Sequence, residues 1–258
     1  MWSRNSLRKE SVMPDREAFE AAKSKVIGID RQRLGIGTLS EKTVHAILKH
    51  YYEPDETKHE IPVGGFVADI QNGDRIIEIQ TRQFDRLRGK LEAFLQEYKV
   101  TVVYPIPYEK WLIWIDEETG NLSKKRKSPA KGNAYVAFAE LYKIKKYLKH
   151  PNLEFRFAML TMEEYRLLNG WSRDKKRGSS RYDRIPGEFV EEVEISRPED
   201  YMQFIPIELE TDFTSREFAA AAKIPVALAQ TVLNILYEMG VVTRVGKKGN
   251  LYLYAVLE

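Results

Sequence analysis

The chain reads as an α/β protein with a mixed central sheet, followed by a second, smaller unit. Three observations predict this. Helical stretches with apolar residues at 3–4 spacing alternate with short strand-like runs between residues 40 and 168. Gln71-Asn72-Gly73-Asp74 lies between two strand-like runs, and Asn-Gly at its centre marks a tight hairpin. Beyond residue 187, an acidic stretch holding Pro198 and Pro206 leads into a helix–turn–helix and a final hairpin.

Taken in order, residues 1–36 hold one helix, near Asp15–Val26, in a loosely attached lead-in. A helix from Ser40 to about Tyr51 carries Val44, Ile47 and Leu48 on one face, and Pro54 ends it. Glu60–Val63, Phe66–Ile70 and Arg75–Gln80 are strands, the first two separated by Gly64-Gly65. Phe84, Leu87, Leu91, Phe94, Leu95 and Tyr98 form the apolar stripe of a helix. Val100–Tyr104 is a buried strand stopped by Pro105 and Pro107, and Trp111–Ile115 is another. A helix over about Ala134–Lys149, a strand Leu153–Leu160 and a short helix Met162–Leu168 follow, then a long basic loop to Pro186. The order is α-β-β-β-α-β, extended by β-α-β. The predicted divisions are a lead-in over 1–36, an α/β domain over 37–187, an acidic linker over 188–212 and a C-terminal unit over 213–258.

Composition narrows the chemistry. Of 258 residues, 43% are hydrophobic and none is cysteine, which removes disulfides, thiolate zinc sites and cysteine nucleophiles together. No apolar run approaches the ~20 residues of a membrane span, and a soluble, cytoplasmic protein is expected. The net charge of +3 conceals a marked asymmetry. Residues 121–187 hold 17 basic and 6 acidic side chains, whereas residues 188–212 hold 1 and 9. Such a basic block favours a polyanionic partner over a merely solvated surface. No Gly-rich phosphate loop, Gly-x-Ser-x-Gly elbow or His-Glu-x-x-His helix is present.

The hairpin is the strongest catalytic candidate. With Asn72-Gly73 as its two-residue turn, Asp69 lies opposite Ile76 and Val67 opposite Glu78. Asp69, Glu78 and Gln80 then project from one face, the two carboxylates as diagonal neighbours roughly 7–8 Å apart at the backbone. Alternating charged and apolar residues also describe any half-exposed strand. Two converging carboxylates add the option of a hard divalent cation such as Mg²⁺ or Mn²⁺. His45, four residues after Glu41, shares that residue's helix face; a lone His there is more often a packing residue.

Asp69…Glu78-Ile79-Gln80, preceded by the helix bearing Glu41 and followed by the 84–98 helix and the 100–104 strand, resembles the PD-(D/E)xK nuclease superfamily, whose restriction-endonuclease-like core is an αβββαβ unit. The resemblance implies a DNA endonuclease in which Asp69 and Glu78 bind Mg²⁺ or Mn²⁺ and Glu41 assists from the first helix. Gln80 stands where the family has lysine. It can hydrogen-bond the attacking water but supplies no cation, so Arg82 or Lys90 is the alternative source of charge. A nuclease fold without activity, acting as a DNA-binding or regulatory module, is the other reading.

Lys124, Lys125, Arg126 and Lys127, together with Arg173, Lys175, Lys176 and Arg177, are the expected phosphate contacts of a DNA partner. In the C-terminal unit, Thr214-Ser215-Arg216-Glu217 is a capping box, Pro225 opens a second helix and two strands flank Gly246–Asn250. This order resembles a winged helix-turn-helix, with Lys247 and Lys248 at the wing. Such modules bind DNA or serve as dimerisation units, which makes a homodimer the alternative use.

Overall fold

The computed structural model describes residues 13–33, 43–169, 178–209 and 212–257. The molecule is α/β, with a mixed sheet of seven strands covered by helices on both faces. Helices α1 (Arg16–Arg33) and α2 (Thr43–Tyr52) cover one face. Strands β1 (His59–Val63), β2 (Phe66–Asn72) and β3 (Arg75–Ile79) form an antiparallel meander. A 3-10 turn, Phe84–Leu87, runs into α3 (Arg88–Phe94), which leads to β4 (Lys99–Ile115) and the short β5 (Arg126–Lys127). After α4 (Phe138–Leu141) come β6 (Leu153–Leu167) and β7 (Ser180–Ile195). The sheet order is β1-β2-β3-β4-β6-β7, with β5 on β4; β4 runs parallel to β3 and β6, and the other pairs are antiparallel.

Strand alternation divides the core. Val100 and Val102 of β4 belong with Leu91, Phe94, Phe138 and Leu141, while Val103, the next residue along, belongs with Phe19, Val44 and Ile47 on the opposite side. Each face is apolar, as a sheet buried between two helical layers requires.

Several expectations are corrected. The hairpin turn is Gly73-Asp74, since Asn72 pairs with Arg75 and Gln71 with Ile76. Gly73 takes a φ of 61°, which suits a two-residue turn with glycine first. The paired register ends at Ile70 and Ile77, and beyond it the Asp69 backbone N–H donates to Glu78 Oε1 at 3.3 Å. The expected strands 100–104 and 111–115 are one strand of 17 residues, β4. β3 ends opposite Val103, so one edge of β4 is vacant where Pro105 and Pro107 lack their N–H groups. The register slips between Pro107 and Glu109, and the segment from Ser128 to Gly132 lies along that edge. The expected helix 162–168 is the continuation of β6, and part of the expected loop 169–186 is β7. The helices expected over 84–98 and 134–149 are each broken into 3-10 and α segments.

The acidic stretch is not a linker. Its first part is β7, burying Phe189, Val193 and Ile195, and the 3-10 turn Pro198–Phe204 buries Tyr201 and Phe204. Beyond it lie β8 (Asp212–Thr214), α5 (Ser215–Ala222), α6 (Val226–Glu238), β9 (Val242–Lys248) and β10 (Leu251–Val256), with the sheet order β8-β10-β9. The expected capping box is present: Glu217 N–H donates to Thr214 Oγ1 at 3.4 Å and Thr214 N–H to Glu217 Oε2 at 2.7 Å. Phe213, Phe218, Val232 and Leu236 belong to the same apolar cluster as Phe138 and Phe157. Among the described residues no single helix is long and apolar enough to cross a membrane.

Candidate active site

Four elements bring four ionisable side chains together. Asp69 comes from β2, Glu78 from β3, His45 from α2 and Lys90 from α3. Asp69 Oδ2 accepts the backbone N–H of Ile79 at 2.7 Å and lies 3.1 Å from His45 Nε2. Glu78 Oε1 accepts the Asp69 backbone N–H at 3.3 Å, and its Oε2 accepts from Lys90 Nζ at 2.7 Å. The side chain of Glu78 is 2% exposed and that of Asp69 14%. The isoleucines of the hairpin fix this arrangement: Ile70, Ile76 and Ile79 are buried and hold β2 and β3 in the sheet.

The two carboxyls titrate in opposite directions. Burial, and then the charge of Asp69, push Glu78 up to about 7 against the opposing pull of Lys90. Burial also acts to raise Asp69, but the His45 hydrogen bond and charge, the Ile79 N–H and Lys90 outweigh it and hold Asp69 below its ordinary value. Asp69 is therefore the carboxylate that stays ionised, and Glu78 the one that takes up a proton.

Among the described residues no group of three or more His, Asp or Glu side chains forms a metal cage. Asp69 and Glu78 still offer a suitable donor set for Mg²⁺, which is commonly held by one or two carboxylates with water and substrate phosphate in its other positions. The geometry bears on the fit: Glu78 Oε1 accepts the Asp69 N–H at 3.3 Å, which brings the two carboxyl groups together, and Glu78 Oε2 is engaged by Lys90 Nζ at 2.7 Å.

The remaining expected residues are placed differently. The side-chain amide of Gln80 donates to the carbonyls of Arg82, at 2.5 Å, and Gln83, at 3.3 Å, so its NH₂ group braces the following turn rather than the carboxyl pair. The cation at the site is Lys90. Glu41 lies outside the described residues, as do Arg173, Lys175, Lys176 and Arg177. The Lys124–Lys127 run is partly neutralised. Lys125 pairs with Glu163 and Lys127 with Glu109 at 2.7 Å, and both ammonium groups lie over the ring of Trp111. Lys124 and Arg126 are exposed. On the C-terminal hairpin, Lys248 pairs with Glu217 at 3.0 Å and Lys247 lies over Tyr252. His45 was legible only as a helix-face neighbour of Glu41; its approach to Asp69 depends on α2 crossing the end of the hairpin.

Residues 42–196, more than half of the chain, match the family described as Domain of unknown function (DUF8091). The chain belongs to that family. The DUF8091 match takes in α2 and every strand of the large sheet, hence His45, Asp69, Glu78 and Lys90, and ends one residue beyond β7. A protein of Treponema pallidum (strain Nichols), described as an uncharacterized protein, is 29% identical over 148 residues, which is 57% of this chain and 56% of that protein. The alignment thus spans little more than half the length of that relative. No solved structure matches the chain.

Proposed function

We propose that the chain is a metal-dependent DNA endonuclease, with a restriction-endonuclease-like core and a C-terminal winged helix-turn-helix that targets or dimerises it. The observation that carries this reading is the Asp69–Glu78 pair with Lys90 Nζ 2.7 Å from Glu78. Lys90 supplies, from α3, the cation that Gln80 lacks. The strand order supports the same reading, since α2, the three-stranded meander, α3 and β4 follow an αβββαβ sequence.

Bound between Asp69 and Glu78, Mg²⁺ or Mn²⁺ would acidify the attacking water and offset charge on the scissile phosphate. The chain's own groups prepare for this. His45 and the Ile79 N–H fix Asp69 as an ionised, oriented carboxylate. The Asp69 N–H and Lys90 Nζ orient the two oxygens of Glu78. Lys90 places positive charge where a pentacoordinate phosphorus centre develops negative charge.

Plasmid cleavage with Mg²⁺ or Mn²⁺ tests the reading. Asp69→Asn and Glu78→Gln should each slow cleavage by about 100-fold or more; equal activity in the parent and both variants would reject the site. The engagement of Gln80 with its own turn favours a second reading, a DNA-binding protein without cleavage. No cleavage by the parent, with affinity for duplex DNA that falls steeply with salt, would select it. A flat salt dependence would remove both.

A further inference from the structure

Where β4, β6 and β7 run on beyond the hairpin, they carry an unusual charge cluster. The Glu164 side chain is 0% exposed, with Arg166 Nη1 at 2.8 Å, Arg184 Nε at 3.1 Å, Arg181 Nε at 3.4 Å and Lys110 Nζ at 3.6 Å. Among the described residues, this one carboxylate faces four cations. Burial acts to raise Glu164, yet the charges of Arg184, Arg181 and Lys110 hold it low, so it remains an anion that anchors the arginines.

Arg181 and Arg184 line a pocket of about 130 Å³, which Thr81 and Arg82 help to close. Arg82 is exposed, and its charge adds to those that Arg184 and Arg166 impose on Arg181. The acidic side chain in the lining, Asp183, is committed to Thr43 Oγ1 and to the backbone N–H of Arg184, the latter at 2.7 Å. The pocket is therefore lined by three arginines and by the hydroxyl residues Thr81 and Tyr182, in a volume with room for several waters or one tetraoxyanion. Its position is also defined. Thr81 and Arg82 sit on the turn that Gln80 braces, directly after β3, and Val44, which also lines the pocket, precedes His45 on α2. The pocket is thus joined to the Asp69–Glu78 site through the end of β3 and through α2.

We propose that this pocket binds a phosphate group and, in a nucleic acid, holds a backbone phosphate next to the one presented to Asp69 and Glu78. The second half of this assignment rests on the nuclease or DNA-binding reading; the phosphate site itself does not. It gives Gln80 a positioning role, holding Arg82 at the pocket rather than water at the carboxylates.

Isothermal titration of the full chain with inorganic phosphate, at constant ionic strength in chloride, tests the site. The double variant Arg82→Gln/Arg181→Gln leaves Arg166, Arg184 and Lys110 on Glu164. Losing two charge-assisted contacts should weaken phosphate binding by about tenfold or more. No binding by the parent, or a loss smaller than about threefold, overturns the proposal. If the double variant unfolds, Arg82→Gln alone is read by the same criterion, because that side chain is exposed. Lys90→Met separates this proposal from the catalytic one: it should abolish cleavage while leaving phosphate affinity within about twofold. In Asp69→Asn, a short duplex should displace inorganic phosphate from the pocket; failure to do so overturns the backbone assignment. Phosphate binding that depends on the arginines, in a parent that cleaves nothing, would uphold the pocket and reject the nuclease.

Discussion

Glu78 illustrates how burial and one neighbour set a residue's chemistry. Its side chain is 2% exposed, beside the ionised Asp69, and its carboxyl is pushed from 4.5 up to about 7. Between those values the native state holds a proton that the unfolded chain releases. The stability contributed by this group is therefore complete below the unfolded value and is lost as pH rises through about 7. Asp69, held low, acts oppositely: its contribution is present above the unfolded value and is lost as pH falls through the native one. Glu78→Gln should remove a decline of about 2 kcal/mol between pH 5 and pH 8. Urea unfolding of parent and variant at both pH values checks this, and an identical decline in the two would contradict it. At this scale the sequence was partly legible. Asp69 and Glu78 stand out by type and spacing, and Lys90, on the following helix, is a cation within sequence reach of them. His45 was not separable from a packing histidine, because its distance to Asp69 depends on how α2 crosses the sheet.

Among the elements, β4 shows why local signals mislead. Pro105 and Pro107 are strand breakers by chemistry, yet the strand continues through them because β3 has already ended and leaves that edge vacant. The vacancy is filled by the Ser128–Gly132 segment, where the Gly132 N–H donates to the Tyr108 carbonyl at 3.0 Å. A Cβ on Gly132 would stand 2.1 Å from the Pro107 carbonyl oxygen, inside any permitted contact. Gly132→Ala should therefore cost about 1–3 kcal/mol through displaced backbone, measured as a lower urea midpoint at unchanged slope. Parent-like stability would show that the segment is not clamped to β4. The strand 153–167 misled in another way. Met162, Tyr165 and Leu168 have helical spacing, but pairing along both edges, with β4 and with β7, holds the segment extended. The meander and the capping box of Thr214 were legible because each is decided within a few residues.

For the whole molecule, the acidic stretch 188–212 resembles a tether by charge density alone, yet its first part is a strand of the sheet. Phe189 is buried in the cluster under α1 and α2, Val193 and Ile195 in the cluster on the other face, and Arg156 pairs with Glu192 and Glu194, both at 3.2 Å. The apolar cluster then runs without interruption from Phe157 through Phe204 to Phe213 and Leu236. Calorimetry should accordingly give one unfolding transition whose calorimetric and van't Hoff enthalpies agree. Two resolved transitions would show that the C-terminal unit melts independently. α6 is held against the larger unit by polar contacts as well, with Lys145 3.5 Å from both Asn234 and Glu238. In a tethered pair of modules, the length of the linker sets an effective concentration, and insertions or deletions there retune avidity. A shared core leaves no such adjustable length. Any polymer that touches both the β9–β10 hairpin and the Asp69–Glu78 end must match one span, set by packing, and changing that span means rebuilding the interior rather than lengthening a loop.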